Sequence, residues 1–124
     1  MRTILLICGV ILAAIATWIV LNFRAPNHYG GAFTGAPTVA VSDLLERPAD
    51  FLGKRVTILG QVEDQCPTTG CFFYFSAGNK RLKIELGDVV DTIPRRAGAR
   101  VMVEGQLVPY GDSYQFLGIA AEFQ

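Results

Sequence analysis

The sequence predicts an all-β domain, a small five-stranded barrel opened by a short helix and carried behind one apolar membrane-spanning segment. Three observations predict it. An uncharged run lies near the N-terminus, the hydrophobic pattern switches to period two from Lys54 onward, and turn-forming residues divide that pattern into five strands.

Ile4 to Leu21 is 18 residues with neither charge nor proline, set between Arg2 and Arg24. At about 1.5 Å per residue it reaches roughly 27 Å, close to the ~30 Å hydrocarbon core of a bilayer, and Trp18 and Phe23 suit an interfacial belt. Residues 1–24 read as a single-pass anchor. Ala14-Ile15-Ala16 also has the small-x-small form that signal peptidase accepts. Cleavage there would leave Thr17-Trp18-Ile19-Val20-Leu21 as an apolar new terminus, so a retained span is the preferred reading. Arg2 and the terminal amine hold the N-terminus in the cytoplasm, which places the rest on the periplasmic side of the inner membrane. Cys8 reads as a small apolar residue of the span.

Ala25 to Ala40 is rich in Gly, Pro and small residues and has no hydrophobic period. It reads as a linker over residues 25–40, reaching roughly 20 to 24 Å if flexible. The only histidine, His28, falls there and reads as solvated.

The domain proper occupies residues 41–124. Ser42 is placed to cap a short helix from Asp43 to about Arg47, with Leu44, Leu45, Phe51 and Leu52 packing inward and Pro48 limiting its length. After Gly53 the first strand puts Val56, Ile58, Gly60 and Val62 on one face, and Gly60 marks a bend. Phe72–Ser76 and Arg81–Leu86 flank Ala77-Gly78-Asn79-Lys80 as a hairpin. Leu82, Ile84 and Leu86 alternate there with Arg81, Lys83 and Glu85. Gly87 to Ala97, interrupted by Pro94, is irregular or weakly helical. Arg100–Val108 and Ser113–Phe123 form a last hairpin around Pro109-Tyr110-Gly111-Asp112. Closed five-stranded barrels of the OB type have this order. Alternation assigns Val56, Ile58, Leu82, Ile84, Val101, Val103 and Leu107 to the core.

The chemistry-bearing residues are Cys66 and Cys71, separated by four residues. Such a pair can form a disulfide, hold a soft metal or cycle between redox states. In an oxidising compartment the disulfide is the default, and closing so short a loop contributes about 2 kcal/mol. Glu63 and Asp64 upstream and a strand downstream give the thiols no source of a lowered pKa. Two thiolates suit Cu(I), whereas zinc needs about four ligands. Copper or thiol-redox handling by Cys66 and Cys71 is the alternative function.

Hydrolytic chemistry has no constellation: the single histidine is in the linker and Gly-x-Ser-x-Gly is absent, so the chain reads as a non-enzyme without cofactor. After residue 24 it carries nine basic and eleven acidic residues, which denies it the positive field that nucleic-acid binding requires. The aromatic run Phe72–Phe75 must send either Phe73 and Phe75 or Phe72 and Tyr74 inward, leaving at least one ring exposed. Phe72, Tyr74, Arg81 and Lys83 are the candidate binding face, with the turn Pro109–Asp112 placed on the opposite one.

Leu44-Leu45-Glu46-Arg47-Pro48, then Phe51-Leu52-Gly53-Lys54-Arg55-Val56, resembles the lead-in of small bacterial OB-fold proteins. Cys66-x3-Gly70-Cys71-Phe72, followed by Gly98-Ala99-Arg100-Val101-Met102-Val103-Glu104-Gly105, is similar to an extracytoplasmic branch with a Cys-x3-Gly-Cys-aromatic motif. The resemblance covers most of residues 43–108 and implies the fold, not an activity. The layout also resembles the periplasmic haem chaperone of cytochrome c maturation, whose haem-bearing His-x3-Tyr has no counterpart after residue 28. The reading that remains is a membrane-anchored extracytoplasmic binding or assembly module, a non-catalytic accessory subunit whose partners are other subunits of a membrane complex.

Overall fold

The apolar run folds as helix α1 (Arg2–Asn22) in the computed structural model, which describes residues 1–22, 27–69 and 71–124. Phe23, Arg24 and Gly70, used in the sequence reading, lie outside the described residues. The stretch Arg2–Leu21 has a mean hydropathy of 2.9 and none of it is buried, so it is long and apolar enough to cross a membrane. Within it the Thr17 hydroxyl donates to the Ala13 carbonyl at 2.9 Å, keeping a polar group satisfied inside the helix.

The β-domain is built from β1 (His28–Gly30), β2 (Arg55–Gln61), β3 (Phe72–Ala77), β4 (Lys80–Glu85), β5 (Arg100–Tyr110) and β6 (Ser113–Phe123). They form a six-stranded sheet ordered β2-β5-β6-β4-β3, with β1 added to β6. The ladders are antiparallel except for β4 on β6, where Lys83, Ile84 and Glu85 run parallel to Gln115, Phe116 and Leu117. The end strands approach each other just beyond β2. The Glu63 N–H donates to the Tyr74 carbonyl at 3.0 Å, and the Tyr74 N–H donates back to Glu63 at 2.8 Å. The expectation of a closed five-stranded barrel is thus corrected to a mixed six-stranded sheet whose ends touch at an isolated bridge.

The sixth strand comes from the segment read as a linker. Tyr29 is buried against Phe123, and His28, Tyr29 and Gly30 pair with Glu122, Ala121 and Ala120. Further along, the Thr34 N–H donates to Glu104 Oε2 at 2.7 Å and its hydroxyl donates to Glu104 Oε1. Thr57 then exchanges backbone bonds with Pro37 and Val39 at 2.9 Å each. Residues 27–40 are therefore a docked strap. Single side chains and backbone groups hold it, and such contacts leave no period in the sequence.

Two helical turns follow, α2 (Val41–Glu46) and α3 (Pro48–Phe51). The cap is Ala40, not Ser42, and it makes no side-chain hydrogen bond. Val41 and Leu44 are both buried, so the helix must begin early enough to place them on one face. Pro48 ends α2 and opens α3, where its missing N–H costs nothing.

The predicted core is the observed one. Val56, Ile58, Leu82, Ile84, Val101, Val103 and Leu107 are at most 4% exposed, joined by Phe73, Phe75, Phe116 and Ile93. Gly60 sits against the Phe75 ring, where an added Cβ would lie 2.6 Å from a ring carbon. The long strands β5 and β6 carry a register shift at Glu104 and Gly105. Glu104 pairs with Ala120 and Gly105 with Gly118, so Ile119 is the extra residue of a bulge.

Candidate functional site

Alternation on β3 sends Phe73 and Phe75 into the core and turns Phe72 and Tyr74 outward. On β4 it buries Leu82 and Ile84 and turns Arg81, Lys83 and Glu85 to the same outer surface. The register places Tyr74 opposite Lys83 and Phe72 opposite Glu85, so the outer residues interleave.

The cations lie across the rings. Arg81 Cζ is 4.0 Å from the Tyr74 centroid, and Lys83 Nζ is 4.7 Å from that of Phe72. The two rings meet edge to face at 6.3 Å. Lys83 Nζ is also 4.8 Å from the Tyr110 ring, which is half exposed at the β5–β6 turn. All four predicted face residues therefore come together. The opposite-face placement of Pro109–Asp112 is corrected, because Tyr110 shares the Lys83 side chain with Phe72. The signal was present in the sequence: with Leu107 inward, parity sends Val108 and Tyr110 outward.

Neither Phe72 nor Tyr74 is fully exposed; each is half-buried beneath its cation. Carboxylates balance the cations. Asp64 Oδ2 is 2.7 Å from Arg81 and Glu85 Oε2 is 3.6 Å from Lys83. The surface is thus an aromatic one with paired charges, unlike the positive groove that tracks a phosphate backbone. Beside Lys83 in the ladder, Gln115 Oε1 is buried and has no hydrogen-bond partner among the described residues. Against the same hairpin, a cavity of about 350 Å³ opens between Leu45, Pro48, Lys80, Arg81 and Tyr114.

The β2–β3 loop that flanks this face carries the cysteines. No disulfide joins Cys66 and Cys71. The Thr69 hydroxyl lies between them, donating to Cys71 Sγ at 3.0 Å and standing 3.8 Å from Cys66 Sγ. Among the described residues no group of three His, Cys, Asp or Glu is placed to hold a metal ion. His28, read as solvated, is instead held at both ring nitrogens: Nδ1 is 2.6 Å from Glu122 Oε2 and Nε2 is 2.7 Å from the Gly31 carbonyl. The Glu122 hydrogen bond, seconded by the Gly31 carbonyl, raises its pKa above the ordinary 6.5.

No protein-family model matches the sequence, and no curated protein matches it. Solved structures do resemble its fold. The Stn1–Ten1 complex of S. pombe has a TM-score of 0.54 at 11% identity, over 75% of this chain and 79% of that one. The telomere capping protein Ten1 from Saccharomyces pombe has a TM-score of 0.51 at 11% identity, over 72% and 81%. The hypothetical protein ygiW from E. coli has a TM-score of 0.52 at 11% identity, over 76% and 99%. These neighbours are OB-fold proteins, and likeness at this identity carries the fold alone. The β-domain of this chain is an OB-fold, preceded by an apolar N-terminal helix.

Proposed function

We propose that the chain is a membrane-tethered, non-catalytic OB-fold binding module, an accessory subunit that engages a protein partner through the outer face of β3 and β4. The observation that carries this reading is the gathering of Phe72, Tyr74 and Tyr110 around Arg81 and Lys83. OB-folds bind with the strand pair equivalent to β3 and β4, flanked by the loops that here hold Thr69 and Tyr110. Aromatic and arginine side chains are also the residues that dominate protein interfaces. Paired charges favour a protein over a nucleic acid, and one structural neighbour, the Stn1–Ten1 complex, is itself an assembly of proteins. In this reading α1 is a retained span and the domain lies on the extracytoplasmic side, where oxidation pairs Cys66 with Cys71. No observation beside Cys66 and Cys71 supports the copper and thiol-redox alternative.

The test is site-directed photo-crosslinking of the full chain in its native membrane. A photoreactive residue at Tyr110 gives one discrete adduct, which disappears when Arg81→Glu and Lys83→Glu are combined. An adduct that survives the double reversal, or one formed equally from Asp50 on α3, places the interface elsewhere.

A further inference from the structure

The strap ties Asn27, five residue steps beyond α1, to an arginine-rich end of the sheet. Between Asn22, the last residue of α1, and Asn27 there are five residue steps. Fully extended, they cannot exceed about 18 Å. Asn27 is fixed to the domain: its carbonyl accepts the Phe123 N–H at 2.8 Å, and its Oδ1 accepts from Arg96 Nη1 at 3.0 Å. Arg96 in turn lies 4.7 Å from the Phe123 ring centroid, and the Gln124 N–H donates to the Arg100 carbonyl at 3.0 Å. Arg95, Arg96 and Arg100 therefore share one end of the sheet with Asn27.

Arg95 and Arg100 are exposed, and among the described residues neither has a carboxylate within ion-pair distance. Two nearby acids already hold other partners: Glu122 holds His28, and Asp64, which lines a hollow with Arg95, holds Arg81. The domain as a whole is slightly acidic, so this cationic end is a local departure from it.

We infer that this end, carried by Arg95 and Arg100 beside Asn27, rests on anionic lipid headgroups of the bilayer that α1 enters. The inference depends on reading α1 as a retained span. The headgroup layer begins where the hydrocarbon core stops and is about 5 to 8 Å deep, so a tether this short keeps Asn27 within roughly 13 Å of its outer surface. Guanidinium groups match phosphate geometry, and each basic residue near an anionic surface strengthens attachment roughly fivefold.

The experiment reconstitutes the full chain in nanodiscs of phosphatidylcholine alone and of equal parts phosphatidylcholine and phosphatidylglycerol, and follows amide exchange. Residues 95–100 are expected to exchange at least about fivefold more slowly in the anionic discs. Raised salt removes the difference, and so does Arg95→Glu with Arg100→Glu. Should that variant lose its native melting temperature, Arg95→Gln with Arg100→Gln serves instead. Equal exchange in the two lipids overturns the inference, as does a difference that persists in a folded variant. Failure of the chain to remain with discs of either composition overturns the anchor itself, which separates the two readings.

Discussion

The β3–β4 hairpin and the strap at residues 27–40 are both attached to the same sheet, yet they are held in opposite ways. The hairpin is pinned by Phe73, Phe75, Leu82 and Ile84, all at most 1% exposed, and by a continuous ladder from Phe72–Glu85 to Ala77–Lys80. The strap has one buried ring, three paired residues and a few polar contacts, chiefly Thr34 on Glu104 and His28 on Glu122. Distributed burial makes the hairpin part of the global fold. Attachment through a short ladder and a few side chains predicts that the strap opens as a separate unit of lower stability, which one substitution can loosen.

The largest effect should come from the hairpin's inner face. Ile84→Asp buries an unpaired charge and should abolish folding, read as loss of a cooperative thermal transition. Phe73→Ala should cost about 3 to 5 kcal/mol, read by denaturant melting. A small cost for Phe73→Ala would erase the contrast between the two regions.

Next comes Glu104→Gln, on β5 where Thr34 of the strap is held. It removes one acceptor from a buried site that takes two Thr34 donors, at a cost of about 1 to 3 kcal/mol. Amide exchange should quicken in residues 31–36 while β3 and β4 stay protected. Equal quickening in both would show the strap to be integral to the core.

On the hairpin's outer face the effects on stability should be small. Arg81→Glu with Lys83→Glu should change stability by no more than about 1 kcal/mol, because the Arg81–Asp64 pair is largely exposed. The same double change abolishes the crosslink from Tyr110. A loss of stability comparable to Phe73→Ala would make the outer face structural instead of interactive.

Smallest is the pH response of the strap. His28 has its pKa raised in the folded state, so the stability it adds is full below about 6.5 and is lost as pH rises through the raised value. Exchange at residues 28–31 should quicken over that interval. In His28→Gln it should be pH-independent once the intrinsic chemical rate is removed.

The β4 half of the hairpin was legible in the sequence because each of its residues reports a face by parity alone. Leu82 and Ile84 point one way and Arg81 and Lys83 the other, and the register follows. Parity left the aromatic run ambiguous, since either pair of rings could fill the core. The neighbours decided it: Gly60 leaves room for the Phe75 ring, and Phe73 contacts Phe123. Strap contacts are illegible for a different reason. Thr34 and Glu104 are 70 positions apart, and nothing local to either residue announces the other. Tyr110 falls between these cases. Its parity was readable, but only the structure brings the turn beside Lys83.

Strand β6 pairs with β1, β4 and β5, and it is the last strand in chain order. His28 meets Glu122 across 94 positions, and at ~5 to 20 residues per second their synthesis is separated by roughly 5 to 20 seconds. During that interval β1, β4 and β5 exist as segments without their shared neighbour. Whichever machinery delivers the chain must therefore hold it open until the final strand emerges. A chain broken before Ser113 would lack the strand that β1, β4 and β5 share, so the order of the strands makes the whole sheet wait on one late segment.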